Sequence, residues 1–515
     1  MRPSLSLPRI LLASFFALST FVSAAPIPRA RTLIVCDDVA DPLTLDPQKE
    51  FSEKNHTIVQ QMYEGLIRFD PNGKIEPALA VSWERLDNLR VRFKLREGVL
   101  FHNGEPFNAQ AVKFSIERYL DPATGFPAVG FINSLDKVEI VDDSTVDIVT
   151  EFPDGLILNR LAGFILIVPP KYVREKGEDA LSAQPVGTGA FKFGHWKKGD
   201  RIVLLAYRKY WEPTLPKVDS LVFRFIPTDQ QVEKLLTGEV DIVTELPGTR
   251  TYDVQSSELG RIVKNLSLYT IASSLNVVSG PLKDIRVRQA LNYGINKQEL
   301  IRYDLLGNGE PISSYVLSGY PEAYQQKMNP YEYNIEKAKK LLMSAGFGDG
   351  MKLRMLEVKA TRPARILVAQ WKRLGVEVEL VSTTDAGMSD ELKKGNWDVF
   401  LSGCPDPMYH PYFIHSVFLY SLSPYCLTKI SEADSYIERI VQELDPQKQI
   451  NEIKSMANYV NENALAFFTY QRIKTYGVRK NVVFQPYGSG MSYFRETGFK
   501  KYLKNRPRLS EKNPL

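Results

Sequence analysis

Residues 334–381 read NIEKAKKLLMSAGFGDGMKLRMLEVKATRPARILVAQWKRLGVEVELV. Asn334 can cap a helix, Ile335, Ala338, Leu341 and Leu342 fall on one face of it, and Gly346 ends it. Met351 to Val358 then reads as a strand. The order repeats with a helix from Ile366 to Leu374, Gly375, and a strand from Val376 to Val381. A helix with one apolar stripe must lay that stripe on something, and a neighbouring strand supplies the surface. Two such rounds in succession predict a three-layer α/β lobe.

The same punctuation continues upstream. Asp284 caps Ile285 to Tyr293, and Asn296, with Glu299 three residues on, opens a helix that Gly307 closes. Strands are denser in the middle of the chain. The turn Pro185-Val186-Gly187-Thr188-Gly189 precedes a strand from Ala190 to Phe193, and Ile202 to Ala206 and Leu221 to Ile226 are further strands. A short helix, Gln230 to Leu236, stops at Gly238 before the strand Val240 to Val243. Toward the N-terminus, Arg31 to Val35 is an apolar strand, and Asn55 to Ile67 reads as a helix with Ile58, Met62 and Leu66 aligned. Val91, Phe93 and Leu95 alternate with basic residues as a half-buried strand, Asn108 caps a helix through Leu120, and Val138 to Val149 is a hairpin turning at Asp142-Asp143-Ser144. Residues 500–515 carry six basic residues and one acid and read as a solvated tail.

The 515 residues are 44% hydrophobic and 24% charged, an ordinary globular composition that excludes disorder and disulfide-dense miniproteins. Basic and acidic residues nearly balance at 65 against 60, which gives no reason to expect a nucleic-acid partner. Arg2 and Arg9, the apolar run Ile10 to Leu18 and the small residues Val22-Ser23-Ala24 read as a secretory signal peptide over residues 1–24, cleaved after Ala24. No other stretch reaches the roughly 20 apolar residues of a spanning helix. No Cys stands where a bacterial lipid anchor needs one, so a soluble, periplasmic protein is expected. Three cysteines in an exported chain leave at least one unpaired. Cys404 and Cys426 flank one short region and could close a loop, or Cys36 could take a distant partner.

Catalytic constellations are scarce. The chain holds no Gly-x-Ser-x-Gly elbow, no His-Glu-x-x-His and no phosphate loop. His410 and His415 are the only close pair of histidines, and at that spacing they do not share a helical face or sit at a zinc spacing from Cys404. The expectation is therefore no enzyme, no catalytic residue, no metal site and no cofactor. An exported, multi-lobed α/β chain without catalytic machinery suits a carrier that binds something between its lobes, where ligand sites concentrate.

Several segments carry a resemblance. They include Leu45-Asp46-Pro47 with Tyr63-Glu64-Gly65-Leu66, Pro77-Ala78-Leu79-Ala80 with Trp83, and Phe93 to Phe107 with Phe101-His102-Asn103-Gly104. Further on stand Pro185 to Phe191 with Tyr210-Trp211, then Gly238 to Ile242, Asp284 to Leu291, and Lys337 to Leu342 with Ala345-Gly346. In this order they resemble the family 5 extracytoplasmic solute-binding proteins of peptide and nickel ABC transporters. The resemblance implies an α/β, two-lobed periplasmic-binding-protein fold with two crossover strands and an extra N-proximal α/β domain. It implies lobe I from 30–63, 169–272 and 480–515, an extra domain at 64–168, and a C-terminal closing lobe at 273–479.

The function so implied is hinge closure on an oligopeptide or dipeptide, delivered to ABC permease subunits in the inner membrane by a monomer. A metal chelate, an opine or a sugar is the alternative ligand, and a ligand sensor or a secreted hydrolase are further readings. By the same resemblance, Phe51, Ser52 and Glu53 lie on the cleft. The family's amine-anchoring run corresponds to Gly403-Cys404-Pro405-Asp406-Pro407-Met408-Tyr409-His410-Pro411. Asp406 is its anchor candidate, one position early, with Cys404 where the family has tryptophan and His410 where it has an acid. Gly403, Cys404, Tyr409, His410 and Tyr487 complete the expected ligand-binding set.

Overall fold

The computed structural model describes residues 31–37, 41–320, 324, 328–359, 361–384 and 387–503. The leader expected at 1–24 and the tail from residue 504 lie outside the described residues. The stretch that predicted the lobe folds in the order read, with the second helix shifted toward the N-terminus and its strand two residues longer. Asn334 caps Ile335–Ser344 by accepting from the Lys337 N–H. Met351–Val358 and Val376–Thr383 pair in parallel, Met351 beside Val376. The second helix runs Arg362–Lys372, with Pro363 in its first turn. A proline there loses nothing, because the first N–H groups of a helix have no partner anyway. Its apolar stripe buries Leu367 and Trp371, and the Trp371 ring stacks edge-on against Phe467 at 4.8 Å.

These strands are one end of an eleven-stranded sheet. The order runs Val376–Thr383, Met351–Val358, Val399–Pro405, Gly260–Leu275, Tyr470–Arg479, Ile242–Val243, Thr32–Asp37, Ser220–Phe225, Arg201–Ala206, Phe191–Lys197, with Gly309–Pro311 added beside Tyr470–Arg479. The strand Gly260–Leu275 changes partner along its length. Its first part, 260–266, lies against Tyr470–Arg479. Past an irregularity between Leu266 and Thr270, residues 269–275 pair with Val399–Pro405. One strand thus belongs to both halves of the sheet. A separate four-stranded antiparallel sheet, Ala80–Arg85, Arg90–Leu95, Thr145–Thr150 and Leu135–Asp142, carries the expected hairpin and the helix Ala109–Leu120.

The helix expected from Asn55 to Ile67 is corrected: it spans only Glu53–Val59, with Ser52 as its cap. The carbonyls that would continue it are taken by another segment. Gly189 N–H donates to Met62 O at 2.8 Å and Phe191 N–H to Gln61 O at 3.1 Å. At Gly65 a side chain would lie 2.6 Å from the Ile165 carbonyl oxygen, so the chain passes too close for any other residue.

Candidate functional site

A cavity of about 300 Å³ opens where distant parts of the chain meet. Its walls come from Phe51 and Glu53 before and within the Glu53–Val59 helix, the 127–131 turn, the strand Val399–Pro405, the helix Tyr412–Leu419 and Met491. The surface is mainly apolar, with six aromatic rings on it. Phe131 packs on Phe413 at 4.8 Å, Phe51 on Phe164 at 4.9 Å, and Phe400 stacks on Phe418 at 5.9 Å. Met388 and Cys404 line it beside the rings, and Tyr425 stacks on Phe400 at 6.3 Å. All eight residues of Tyr412–Leu419 are buried, so this helix is covered on every side, and its two polar residues, His415 and Ser416, bond to the backbone at Pro411 and Phe413.

The strand Val399–Pro405 brings unused backbone to this wall. Asp406 N–H donates to Leu268 O and Asn276 N–H donates to Asp398 O, each at 2.8 Å. Those two bonds fix the phase of the antiparallel pair. Within Val399–Pro405 the even-numbered residues turn their N–H and C=O toward Gly260–Leu275, and the odd-numbered residues turn theirs to the opposite edge. There the parallel strand Met351–Val358 lies alongside 399–401. Among the described residues no strand continues that edge past Leu401. Gly403 therefore presents an N–H and a carbonyl, the carbonyl also accepting from Ser402 Oγ at 3.3 Å, and Pro405 presents a carbonyl alone. Gly403 is held bare by its neighbour: a Cβ would fall 1.8 Å from the Tyr269 hydroxyl.

Among the described residues one charged side chain, Glu53, lines the cavity. Its Oε1 accepts from Lys474 Nζ at 2.8 Å, and Lys474 also reaches Glu245 at 3.1 Å. Arg472 pairs with Glu245 and lies over the Tyr269 ring, 5.4 Å from its centre. Burial pushes the Glu245 carboxyl up, but Lys474 and Arg472 outweigh it and hold the group at about 2. Arg472 and Lys474, the two cations of the Tyr470–Arg479 strand nearest this wall, are thus both engaged by carboxylates, and the third, Arg479, pairs with Asp241. Gly490 makes room for this arrangement. Its φ is +84°, and a side chain there would meet Glu53 Oε1 at 2.4 Å.

Asp406 sits differently from the expected anchor. It is wholly buried and is not among the residues that line the cavity. Its carboxylate accepts from the Tyr320 hydroxyl at 2.5 Å and from the N–H groups of Met408 and His410 at 2.7 and 2.9 Å. Burial raises the carboxyl to about 7, against the pull of those hydrogen bonds. This is the geometry of an aspartate closing a turn. Its neighbours Gly403, Cys404, Pro405 and Pro407 do reach the cavity.

The other expected residues divide in the same way. Phe51 and Glu53 line the cavity, whereas Ser52 is exposed and caps the helix through the Asn55 N–H. Tyr409 has a φ of +50°, accepts at its hydroxyl from the Ser489 N–H, and packs on Phe69 at 4.7 Å. Tyr487 joins it in a separate small recess near His56. His410 Nδ1 accepts from the Tyr412 N–H, and burial lowers its imidazole to about 3. His415 is likewise lowered to about 4 by burial. Among the described residues no group of three or more His, Cys, Asp or Glu is placed to hold a metal. Of the pairings left open, Cys404 with Cys426 or Cys36 with a distant partner, none forms a disulfide: all three cysteines are buried thiols. Cys36 lies inside the Thr32–Asp37 strand of the other half of the sheet, and Cys404 is part of the cavity wall.

The aromatic lining beyond Phe51 was not read from the sequence. Phe131, Phe400, Phe413 and Phe418 come from three separate segments, so no local period marks them. The one available signal was the run PYFIHSVFLY at 411–420, too apolar for a surface helix.

Comparison with known proteins fits this geometry. The chain matches the bacterial extracellular solute-binding proteins, family 5 (middle), over residues 74–423. It is 30% identical over 372 residues to the glutathione-binding protein GsiB of Pectobacterium atrosepticum, covering 71% of each chain. The periplasmic binding protein DppA from Helicobacter pylori, in complex with the peptide STSA, shares the fold with a TM-score of 0.80 at 23% identity, over 91% of this chain and 98% of that one. AgaA of A. tumefaciens R10, in complex with agropinic acid, gives 0.78 at 24% identity over the same shares. The fold is that of the two-lobed periplasmic binding proteins, and the chain belongs to the family 5 extracellular solute-binding proteins. It is the substrate-binding component of an ABC importer. Among the described residues no helix is long and apolar enough to cross a membrane.

Proposed function

We propose that this chain captures peptides in the aromatic cavity and carries them through the periplasm to its membrane permease. The observation that carries the peptide reading is the strand edge at Gly403, which ends in the cavity wall with an N–H and a carbonyl left for a partner. An extended peptide satisfies such an edge through its own backbone, independent of side chain. Phe51, Glu53, Gly403 and Cys404 meet the ligand in this reading. Ser52, Asp406, Tyr409, His410 and Tyr487 shape and hold the walls. The halves divide where Gly260–Leu275 changes partner, with lobe I formed by 30–63, 169–272 and 480–515, an added domain at 64–168 and the closing lobe at 273–479. Export relies on the leader at 1–24, and the chain binds without turning its ligand over. Native mass spectrometry of the purified protein tests the proposal. A set of bound peptides is the expected result, and a single opine, sugar or metal chelate would refute it.

A further inference from the structure

We infer that the cavity selects very short peptides, of two or three residues, that carry a bulky apolar side chain and no net negative charge. This rests on the peptide reading and narrows it. Length follows from the backbone on offer. Past Leu401 the open edge holds a single N–H, at Gly403, because Pro405 has none. A long extended ligand needs a row of alternating donors and acceptors, and here the row ends after one residue. The cavity agrees, since about 300 Å³ is at the small end for ligand pockets.

Side-chain preference follows from the walls. Phe51, Phe131, Phe400, Phe413 and Phe418 leave an aromatic or branched aliphatic group well covered and give a polar one nothing to bond. Charge follows from Glu53. Among the described residues it is the one charged side chain on the wall, and it is an acid. It suits the free ammonium of a peptide. The nearest cations on the Tyr470–Arg479 strand, Arg472 and Lys474, are engaged by Glu245 and Glu53. A free dipeptide brings one carboxylate, offset by its own ammonium; a ligand with two carboxylates, such as glutathione or a dicarboxylic sugar–amino acid conjugate, would bring a second that nothing on the wall offsets and that Glu53 repels, which is costly.

Isothermal titration of the ligand-stripped protein with Leu-Phe, Gly-Gly, glutathione and a nonapeptide tests the inference. Leu-Phe should bind at least about 30-fold more tightly than Gly-Gly, from the area of its two apolar side chains. Glutathione and the nonapeptide should bind more weakly than Leu-Phe. Phe131→Ala should weaken Leu-Phe about tenfold or more. Phe413→Leu, which keeps the buried volume nearly filled, should weaken it less than Phe131→Ala. Equal or tighter binding of glutathione or the nonapeptide would overturn this inference and leave the peptide reading standing. No binding of any peptide, with an opine or sugar bound instead, would overturn the peptide reading itself.

Discussion

Replacing Asp406 with alanine separates two roles that one carboxylate could play. In the structure it closes the 405–410 turn and accepts three hydrogen bonds, from the Tyr320 hydroxyl and the Met408 and His410 N–H groups. All three donors are buried with it. Asp406→Ala leaves them without an acceptor, at about 1–3 kcal/mol for each orphaned group. Neighbouring losses do not add fully and the turn can relax, so a net destabilisation of about 3 kcal/mol or more is expected. Affinity for a dipeptide should stay within about threefold of wild type, because the carboxylate is not on the cavity wall. Were it the partner of a buried ligand ammonium, truncation would instead cost about 2–5 kcal/mol of binding. Urea denaturation followed in parallel with isothermal titration reads both quantities. A variant of near-native stability that has lost 30-fold or more in affinity would refute the reasoning.

Other expectations follow from the same contacts. The Asp406 carboxyl, raised by burial to about 7, binds its proton more tightly folded than unfolded, where a free aspartate titrates near about 3.9. Its contribution to stability is full below about pH 4 and is lost as pH rises through about 7. Asp406→Asn should therefore flatten that part of the stability–pH curve, and an unchanged slope would count against the assignment. Lys474→Met strips a cation from Glu53 and Glu245 and should destabilise the fold by about 3–5 kcal/mol, as read by denaturant midpoint. Gly490→Ala forces a side chain onto Glu53 at a φ of +84° and should lower both stability and affinity for a free-amine dipeptide, with less effect on its N-acetylated form. The three cysteines should resist a thiol reagent in the native protein and all react once it is denatured. A thiol count below three after denaturation would show a disulfide.

Much of the fold was legible because its signals are local. Asn108, Asp284, Asn296 and Asn334 each cap the helix that their position announced. The paired helix–glycine–strand rounds announced two helices and two strands, and the structure pairs those strands in parallel. The Asn55–Ile67 helix failed for a non-local reason, since nothing nearby in sequence says that Gly189 and Phe191 will claim the Gln61 and Met62 carbonyls. The site was legible only where a motif marks it. The resemblance led to Gly403 and Cys404 on the wall, but the same motif pointed to Asp406, whose side chain is turned inward by two N–H groups of its own turn. The aromatic lining assembles from Phe51, Phe131, Phe400 and Phe413, brought together by tertiary folding alone.

Where the ligand lies decides whether the Gly403 edge is its partner. A crystal structure of the protein with Leu-Phe should show the peptide backbone hydrogen-bonded to the Gly403 N–H, with an apolar side chain among Phe131, Phe400 and Phe413. A peptide bound elsewhere, with that strand edge left unpaired, would contradict it.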